Sequence, residues 1–328
     1  MDIQYIAINW NERLPIFSSE RYLKTLSDEY GWIGGFMHNE LKFVLPYVSH
    51  QKYIFRFLQF QTSVIYLDEA LQIDAEKDFL NSMVKFLKGE GVDFILQPPA
   101  SAIFNTYPDN SLYAPFGSYI IDLGITEEEL WSNVHQKHRN VIRKAEKSGI
   151  RIESGRENAG IAYDLLVKTM ARSNISFYDR VKFDQFINLL DDNVRIYVSF
   201  HDDQPQGCAV IPFSGFSAYY RHGGSIEHPF LGSLNLLQWE AIKYFKSLGI
   251  RYYDFVGARI EPEKGSKLEG IQRFKSRFGA TLKTGYLWKM PLSRSKYALY
   301  KSLQSLRDGG KGDIIDQERK PKAHPANV

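Results

Sequence analysis

The chain has 328 residues, 44% of them apolar and 24% charged, which is room for two domains with ordinary cores. Its single cysteine, Cys208, excludes an intrachain disulfide, and no apolar run approaches the ~18 residues of a membrane span. The net charge of +3 is unevenly placed: residues 1–130 hold 9 Lys and Arg against 18 Asp and Glu, and residues 131–328 hold 32 against 20. The basic half is either a solvated face or the mark of an anionic partner: nucleotide, phosphate, RNA or anionic lipid.

The chain opens with MDIQYIAINWNERLP, which lacks the basic start and apolar stretch of a secretion signal. With the lone cysteine this predicts a cytoplasmic protein without an integral membrane segment, meeting membrane-linked material only peripherally. A helix around Arg21–Asp28 leads into YGWIGGFMHNELKFVLPYV, which reads as strand, polar turn, strand. MVKFLKGEGVDFILQPP (83–99) then reads as helix, a stop at Gly89 or Gly91, and a buried strand.

Next comes ITEEELWSNVHQKHRNVIRKAEKSGIRIES. Thr126 and Glu129 have the spacing of a capping box, and Leu130, Val134, Val141, Ile142 and Ala145 make a helical stripe. One helix over 126–149 is expected, ended by Gly149, with a strand over Ile150–Ser154. Residues 131–156 carry 7 Lys and Arg against 2 Glu. A helix over Phe183–Leu190 precedes VRIYVSFHDDQPQGCAVIPF, again strand, turn, strand, and AIKYFKSLGIRYYDFVGA (241–258) repeats the helix–glycine–strand pattern at Gly249. The order helix, hairpin, strand, helix, strand thus occurs twice, as two copies of one α+β unit would give. The expected division is 1–125 and 126–290, then a helical extension over 291–308 and a polar, disordered tail over 309–328.

The sequence has no H-E-x-x-H, CxxC or Cys/His cluster, no P-loop and no G-x-S-x-G elbow, so no metal site is expected. The chemistry-bearing stretch is GIQRFKSRFGA (270–280) with its flanks: residues 264–283 carry Lys264, Lys267, Arg273, Lys275, Arg277 and Lys283 against Glu269 alone. Arg forks onto phosphate, Lys supplies a point charge, and Phe274 offers a face to a base or sugar. Read as a strand, the stretch puts the three central cations on one face and Phe274 and Phe278 on the other, making the phenylalanines packing residues. His222, before Gly223-Gly224, is either structural or a ligand contact, and His135 and His138 read as surface residues.

LWSNVHQKHRNVIRKAEKSGI, YYRHGGSIEHPFLGSLNLLQWEAIKYFKSLGIRYYDFVGA and LEGIQRFKSRFGA together resemble the FemX/FemA/FemB-like aminoacyltransferases of peptidoglycan bridge formation. The shared patterns are K-x-R-N-x-I-R-K-A-x-K-x-G, Y-x-x-G-G-S, W-E-A-I, Y-D-F-x-G and F-K-x-x-F-G, across about residues 119–288. The resemblance implies an α+β fold of two tandem GNAT-like domains, the second holding the active site. It implies transfer of an amino acid from aminoacyl-tRNA, with no separate cofactor, to an amine of a UDP-linked or lipid-linked cell-envelope precursor. It places Lys275 at the reacting ester as the catalytic residue. Phe274, Arg273, Arg277, Tyr220, His222 and Arg180 fall to substrate binding. The compact FemX form fits this length, and Gln97-Pro98-Pro99 stands where the first domain often ends a strand in Asp-Pro. Two other readings remain at this level: an acyl-CoA-dependent N-acyltransferase on an amino sugar or peptide, against which EHPFLGSLN offers one glycine, Gly232, for a pyrophosphate loop, and a non-enzymatic RNA-binding module.

Overall fold

The computed structural model describes residues 1–68, 70–308 and 312–319. In chain order the elements are β1 (Asp2–Ile6), α1 (Glu20–Lys24), β2 (Glu29–Met37), β3 (Glu40–Lys52), β4 (Phe55–Phe60), β5 (Ile65–Tyr66), α2 (Ile73–Gly89), β6 (Phe94–Ile95) and β7 (Leu112–Asp122). Then follow α3 (Glu127–Asn133), α4 (Gln136–Lys147), β8 (Arg151–Ser154), α5 (Ala159–Ala171), α6 (Arg180–Leu190), β9 (Val194–His201), β10 (Gln204–Pro212), β11 (Ser217–Tyr219) and β12 (His222–Ser225). The chain continues through α7 (Ser233–Ser247), β13 (Tyr252–Asp254), α8 (Lys267–Ser276), β14 (Thr281–Pro291), α9 (Arg294–Asp308) and α10 (Ile314–Glu318).

The chain forms two compact units, one from residues 1–9, 26–117 and 284 onward, the other from 10–25 and 118–283. This differs from the expected 1–125 and 126–290 for two physical reasons. Strands β7 and β14 each have one end in either unit, so no loop marks the change. Residues 10–25 also leave their sequence neighbours. Tyr22 is buried with its ring 6.5 Å from that of Phe186, Phe17 lies 4.5 Å from Tyr219, and the Glu12 carboxylate accepts from Asn193 and the Gly215 N–H.

In the first unit the strand order is β1-β2-β3-β4-β6-β14-β7, with β5 on β3. Its core lies where α2 sets Phe79, Leu80, Met83 and Leu87 against Phe43, Phe60 and Trp288. In the second unit β7 pairs β13, β13 pairs β11, and β12-β10-β9-β8 form a four-stranded sheet. Its core gathers Ile142, Trp239, Phe245, Tyr253, Phe255 and Phe278.

The internal repeat is visible in the details of the two halves. Both hairpins turn on two residues of positive φ, His38-Asn39 between Met37 and Glu40 and Asp202-Asp203 between His201 and Gln204. That is the tight turn whose twist matches paired strands. α2 and α7 end alike: Gly91 and Gly249 take φ near +75°, and the next N–H reaches back to Leu87 and Phe245 respectively. The strand after each helix pairs parallel on one side (β6 on β4, β13 on β11) and antiparallel on the other (β6 with β14, β13 with β7).

Three expectations are corrected. The 126–149 helix is two helices. The capping box of Thr126 and Glu129 forms, but Val134 and His135 are extended, with ψ of 126° and 138°, and the His135 side chain starts α4 by accepting from the Lys137 N–H. In place of the 270–280 strand, residues 270–276 end helix α8, whose N-cap Ser266 accepts from the Glu269 N–H, and 277–279 form a turn. The tail expected to be disordered over 309–328 falls partly outside the described residues, at 309–311 and 320–328. Within it α10 is ordered, because Ile315 is buried and Asp313 and Asp316 both bind the buried Lys289 Nζ, at 2.7 and 2.5 Å.

Candidate active site

Strand β13 ends in Asp254 and runs into Phe255-Val256-Gly257, where the backbone enters the left-handed region. Val256 has φ +49° and Gly257 +77°. A β-branched residue in the left-handed region costs roughly 1–3 kcal/mol and persists only where neighbours enforce it. Here the enforcing group is Lys275. Its Nζ donates to the Val256 carbonyl at 2.7 Å and the Gly257 carbonyl at 2.6 Å, and only 7% of the residue is exposed. Two of the three ammonium donors are used in this way. Burial lowers the Lys275 ammonium to about 8, against the pull of the Asp254 charge in the opposite direction.

Asp254 is itself buried. Burial raises its carboxyl above the usual range, while the Ser118 hydroxyl, the Val256 N–H at 2.7 Å and the Lys275 charge draw it down. The strand end therefore holds the Asp254 carboxyl group and the Lys275 amino group in one low-dielectric place. The Tyr220 N–H donates to the Asp254 carbonyl at 2.8 Å, which ties the Y-x-x-G-G-S segment to the same point.

The glycines of that segment are needed for space. A Cβ on Gly223 would lie 1.8 Å from the Tyr220 hydroxyl, and one on Gly224 2.9 Å from the Leu165 backbone of α5. Just before them His222 is held by the Tyr178 hydroxyl on Nε2, with the rings of Phe177 and Phe186 at 5.3 and 6.2 Å. Burial, then the Arg221 charge, pushes the imidazole well below its ordinary value, so it is neutral near pH 7. Burial raises the Tyr178 phenol.

Helix α8 separates the cations that a strand would have aligned. Arg273 is exposed, Arg277 is partly buried at the C-cap, and Lys275 points inward. Phe274 and Phe278, one turn apart, both face the core, where their rings lie 5.4 and 4.8 Å from His138. Phe274 thus packs against the core from a helix and not from a strand. His138 is buried rather than on the surface, and its Nε2 donates to the Phe274 carbonyl at 3.2 Å. Burial brings the ring down to about 4, against that hydrogen bond, so it is neutral. The His135 N–H donates to the Arg277 carbonyl at 2.8 Å. The basic helices α4 and α8 are thereby fastened to one another.

Arg180 stands apart from Lys275. Its Nε donates to both Asp184 oxygens at 2.8 and 2.9 Å, its guanidinium lies 5.3 Å from the centre of the Tyr163 ring, and it lines a surface cleft with Arg156, Asp184 and Asn188. The structure thus joins Lys275 and Tyr220 at the β13 end. It places His222 in an adjoining aromatic cluster and leaves Arg273 and Arg180 on outer faces. Asp254, Ser118 and Tyr178 were not singled out from sequence. Asp254 had a signal, being the acid of Y-D-F-x-G in an otherwise apolar strand; Ser118 and Tyr178 had none.

Residues 132–276 match the family of acetyltransferase (GNAT) domains. The matched segment holds Lys275, Asp254, Tyr220 and His222, and ends one residue before Arg277. No curated protein matches the chain. Among solved structures it is similar to FemX at 15% identity and TM-score 0.69, over 91% of this chain and 99% of that one. It is also similar to the C-terminal domain of a putative lysylphosphatidylglycerol synthetase from Agrobacterium fabrum, at 13% identity and TM-score 0.51, over 83% and 88%. A third is a conserved protein of unknown function from Bacteroides thetaiotaomicron, at 10% and 0.52, over 88% and 93%. The fold is the α+β, GNAT-type fold of FemX, as the sequence resemblance implied. Among the described residues no helix is long and apolar enough to cross a membrane.

Proposed function

We propose, for a chain that carries a GNAT-type acyltransferase domain in a FemX-like fold, that it transfers an amino acid from aminoacyl-tRNA to an amine of a UDP-linked or lipid-linked cell-envelope precursor. The observation that carries this reading is the buried Lys275 ammonium, fixed by two carbonyls at the strand end of that domain. Attack of a neutral amine on the tRNA ester carbonyl places negative charge on the carbonyl oxygen. A cation already held in a low-dielectric place stabilises that charge without reorganising, an effect typically worth a few kcal/mol. The C–N bond forms, the ester C–O bond breaks, and the ribose hydroxyl leaves with a proton delivered through water. No nucleophilic side chain is required, and Cys208 is unsuited to that part because burial pushes its thiol up to about 12.

The start of α7, where a CoA pyrophosphate would be cradled, is packed under α4. A Cβ on Gly232 would lie 2.8 Å from the Ala145 Cβ and 2.9 Å from the Val141 carbonyl. This supports an aminoacyl ester over acyl-CoA as the donor. The test is to incubate the purified protein and an amine acceptor with labelled aminoacyl-tRNAs, and separately with labelled acyl-CoAs. Label passing to the acceptor from tRNA supports the proposal, and label passing only from CoA refutes it.

A further inference from the structure

Helix α9 in the first unit has an unusual outer face. Its inner side is anchored by Tyr297 and Tyr300, whose rings lie 5.5 and 4.7 Å from Phe94. Its outer side consists of Ser295, Ala298, Leu299, Ser302, Leu303, Ser305 and Leu306, all exposed. Leu299, Leu303 and Leu306 are 46, 49 and 85% exposed. The outward face of a surface helix is ordinarily its charged one. Here the cations sit on the flanks instead: Lys296 on one side, Arg294 and Lys301 on the other, with no acidic residue before Asp308.

A second element brings the same chemistry to the same place. The β3–β4 hairpin turns on Tyr53-Ile54, which are 81 and 61% exposed. Tyr53 has φ +54°, a conformation that favours Asn or Gly, yet an aromatic residue stands there fully in the open. The next residue, Phe55, packs edge-on against Tyr300 of α9 with ring centroids 5.7 Å apart. Lys52 precedes the tip, with its Nζ 6.0 Å from the centre of the Tyr53 ring.

From this arrangement we infer that α9 and the Tyr53-Ile54 tip form a docking surface for an anionic lipid bilayer. An aromatic tip with aliphatic neighbours enters the headgroup boundary, and flanking cations meet anionic headgroups. Charge complementarity selects this occupant. Lys52 and Arg294 stand exposed beside the tip and at the start of α9, and Lys296 and Lys301 flank the helix while bridging to Asp93 and Asp316 at 2.8 Å each. The inference goes beyond acyl transfer and is read by binding alone, so its failure leaves the proposed reaction standing.

The test is co-sedimentation of the full chain with vesicles of equal parts phosphatidylcholine and phosphatidylglycerol, and with phosphatidylcholine alone. Binding to the anionic vesicles only, weakened by salt, is expected. Leu299→Ser with Leu303→Ser, and separately Tyr53→Asn with Ile54→Gly, should each lower the partition coefficient by about tenfold. These side chains are about half exposed or more, so the thermal midpoint should fall by no more than a few degrees. Equal sedimentation of wild type and variants overturns the proposal. So does a wild-type dimer on size-exclusion chromatography that the same substitutions dissociate without vesicle binding, because the face then belongs to a second copy.

Discussion

In the proposed reaction Lys275 is the residue on which the chemistry turns, and its burial sets its pH behaviour. The ammonium is lost as pH rises through about 8, so turnover should decline above that point. The Asp254 charge favours the ammonium, and Asp254→Asn should therefore move the declining limb to lower pH. A kcat–pH profile of both proteins checks this; an unmoved limb would detach the limb from Lys275. The stability linkage has the matching sign. The folded value lies below that of a free lysine, ~10.4, so between the two the unfolded chain binds more protons, and stability rises with pH across that window. Lys275→Met should lower turnover by about 10²–10³-fold. Because it also strips two buried carbonyls of their donor, near-ultraviolet circular dichroism should confirm the fold first. A folded variant with wild-type turnover would remove Lys275 from the mechanism. The identity of this lysine was legible in F-K-x-x-F-G, but its partners were not. Val256 and Gly257 become acceptors only because the chain turns into the left-handed region, which a valine codon does not announce.

At the scale of elements, the sequence carried periodicity better than it carried breaks. In 273–278 cations and aromatics alternate nearly every second residue and imitate a strand, whereas Ser266 and Glu269 three residues apart already signalled a helix start. The break between α3 and α4 had no such signal, since its cause is a long-range bond from the His135 N–H to the Arg277 carbonyl. The order in α10 was hidden for the same reason: a short polar segment is ordered here by a buried partner far away in sequence. Lys289 is fully buried and bonds Asp313 and Asp316, and Asp316 also takes Lys301 at 2.8 Å. Breaking such a buried pair from one side costs about 3–5 kcal/mol. Asp313→Asn with Asp316→Asn should therefore lower the thermal midpoint by several degrees, and adding Lys289→Met should restore much of it. No rescue would mean that the cost lies in the lost α10 cap instead. For Asp316, burial raises the carboxyl but the two lysines outweigh it and hold it at about 2. The folded value is depressed, so this contribution is present above the ordinary Asp value and is lost as pH falls through about 2.

For the whole molecule, the repeat was legible because each copy is written in local rules, namely turn residues, helix-stop glycines and alternating strands. The boundary was not, because β7 and β14 each serve both units. The charge split, by contrast, is a property that no single element shows. The second unit holds both basic segments, and the bonds from His135 and His138 to α8 join them. The exposed side of α4 carries Lys137, Arg143, Lys144 and Lys147, and α8, bonded to α4, exposes Arg273. If that surface takes the phosphates of an aminoacyl-tRNA, binding releases counterions, and affinity must fall with salt in proportion to the phosphates neutralised. About five phosphates on a single-stranded end would give a slope of roughly −3 to −4 in log K against log salt. Lys144→Ala with Lys147→Ala should make that slope shallower by about 1 and raise KM for the donor, leaving the Lys275-dependent step at saturation unchanged. The two lysines lie outside the β13 end where the ester reacts, so a loss of kcat in that variant would place α4 in the chemistry itself. A slope near zero for the wild-type chain would mean that the basic face is only solvated, and that the donor is held by contacts other than its phosphates.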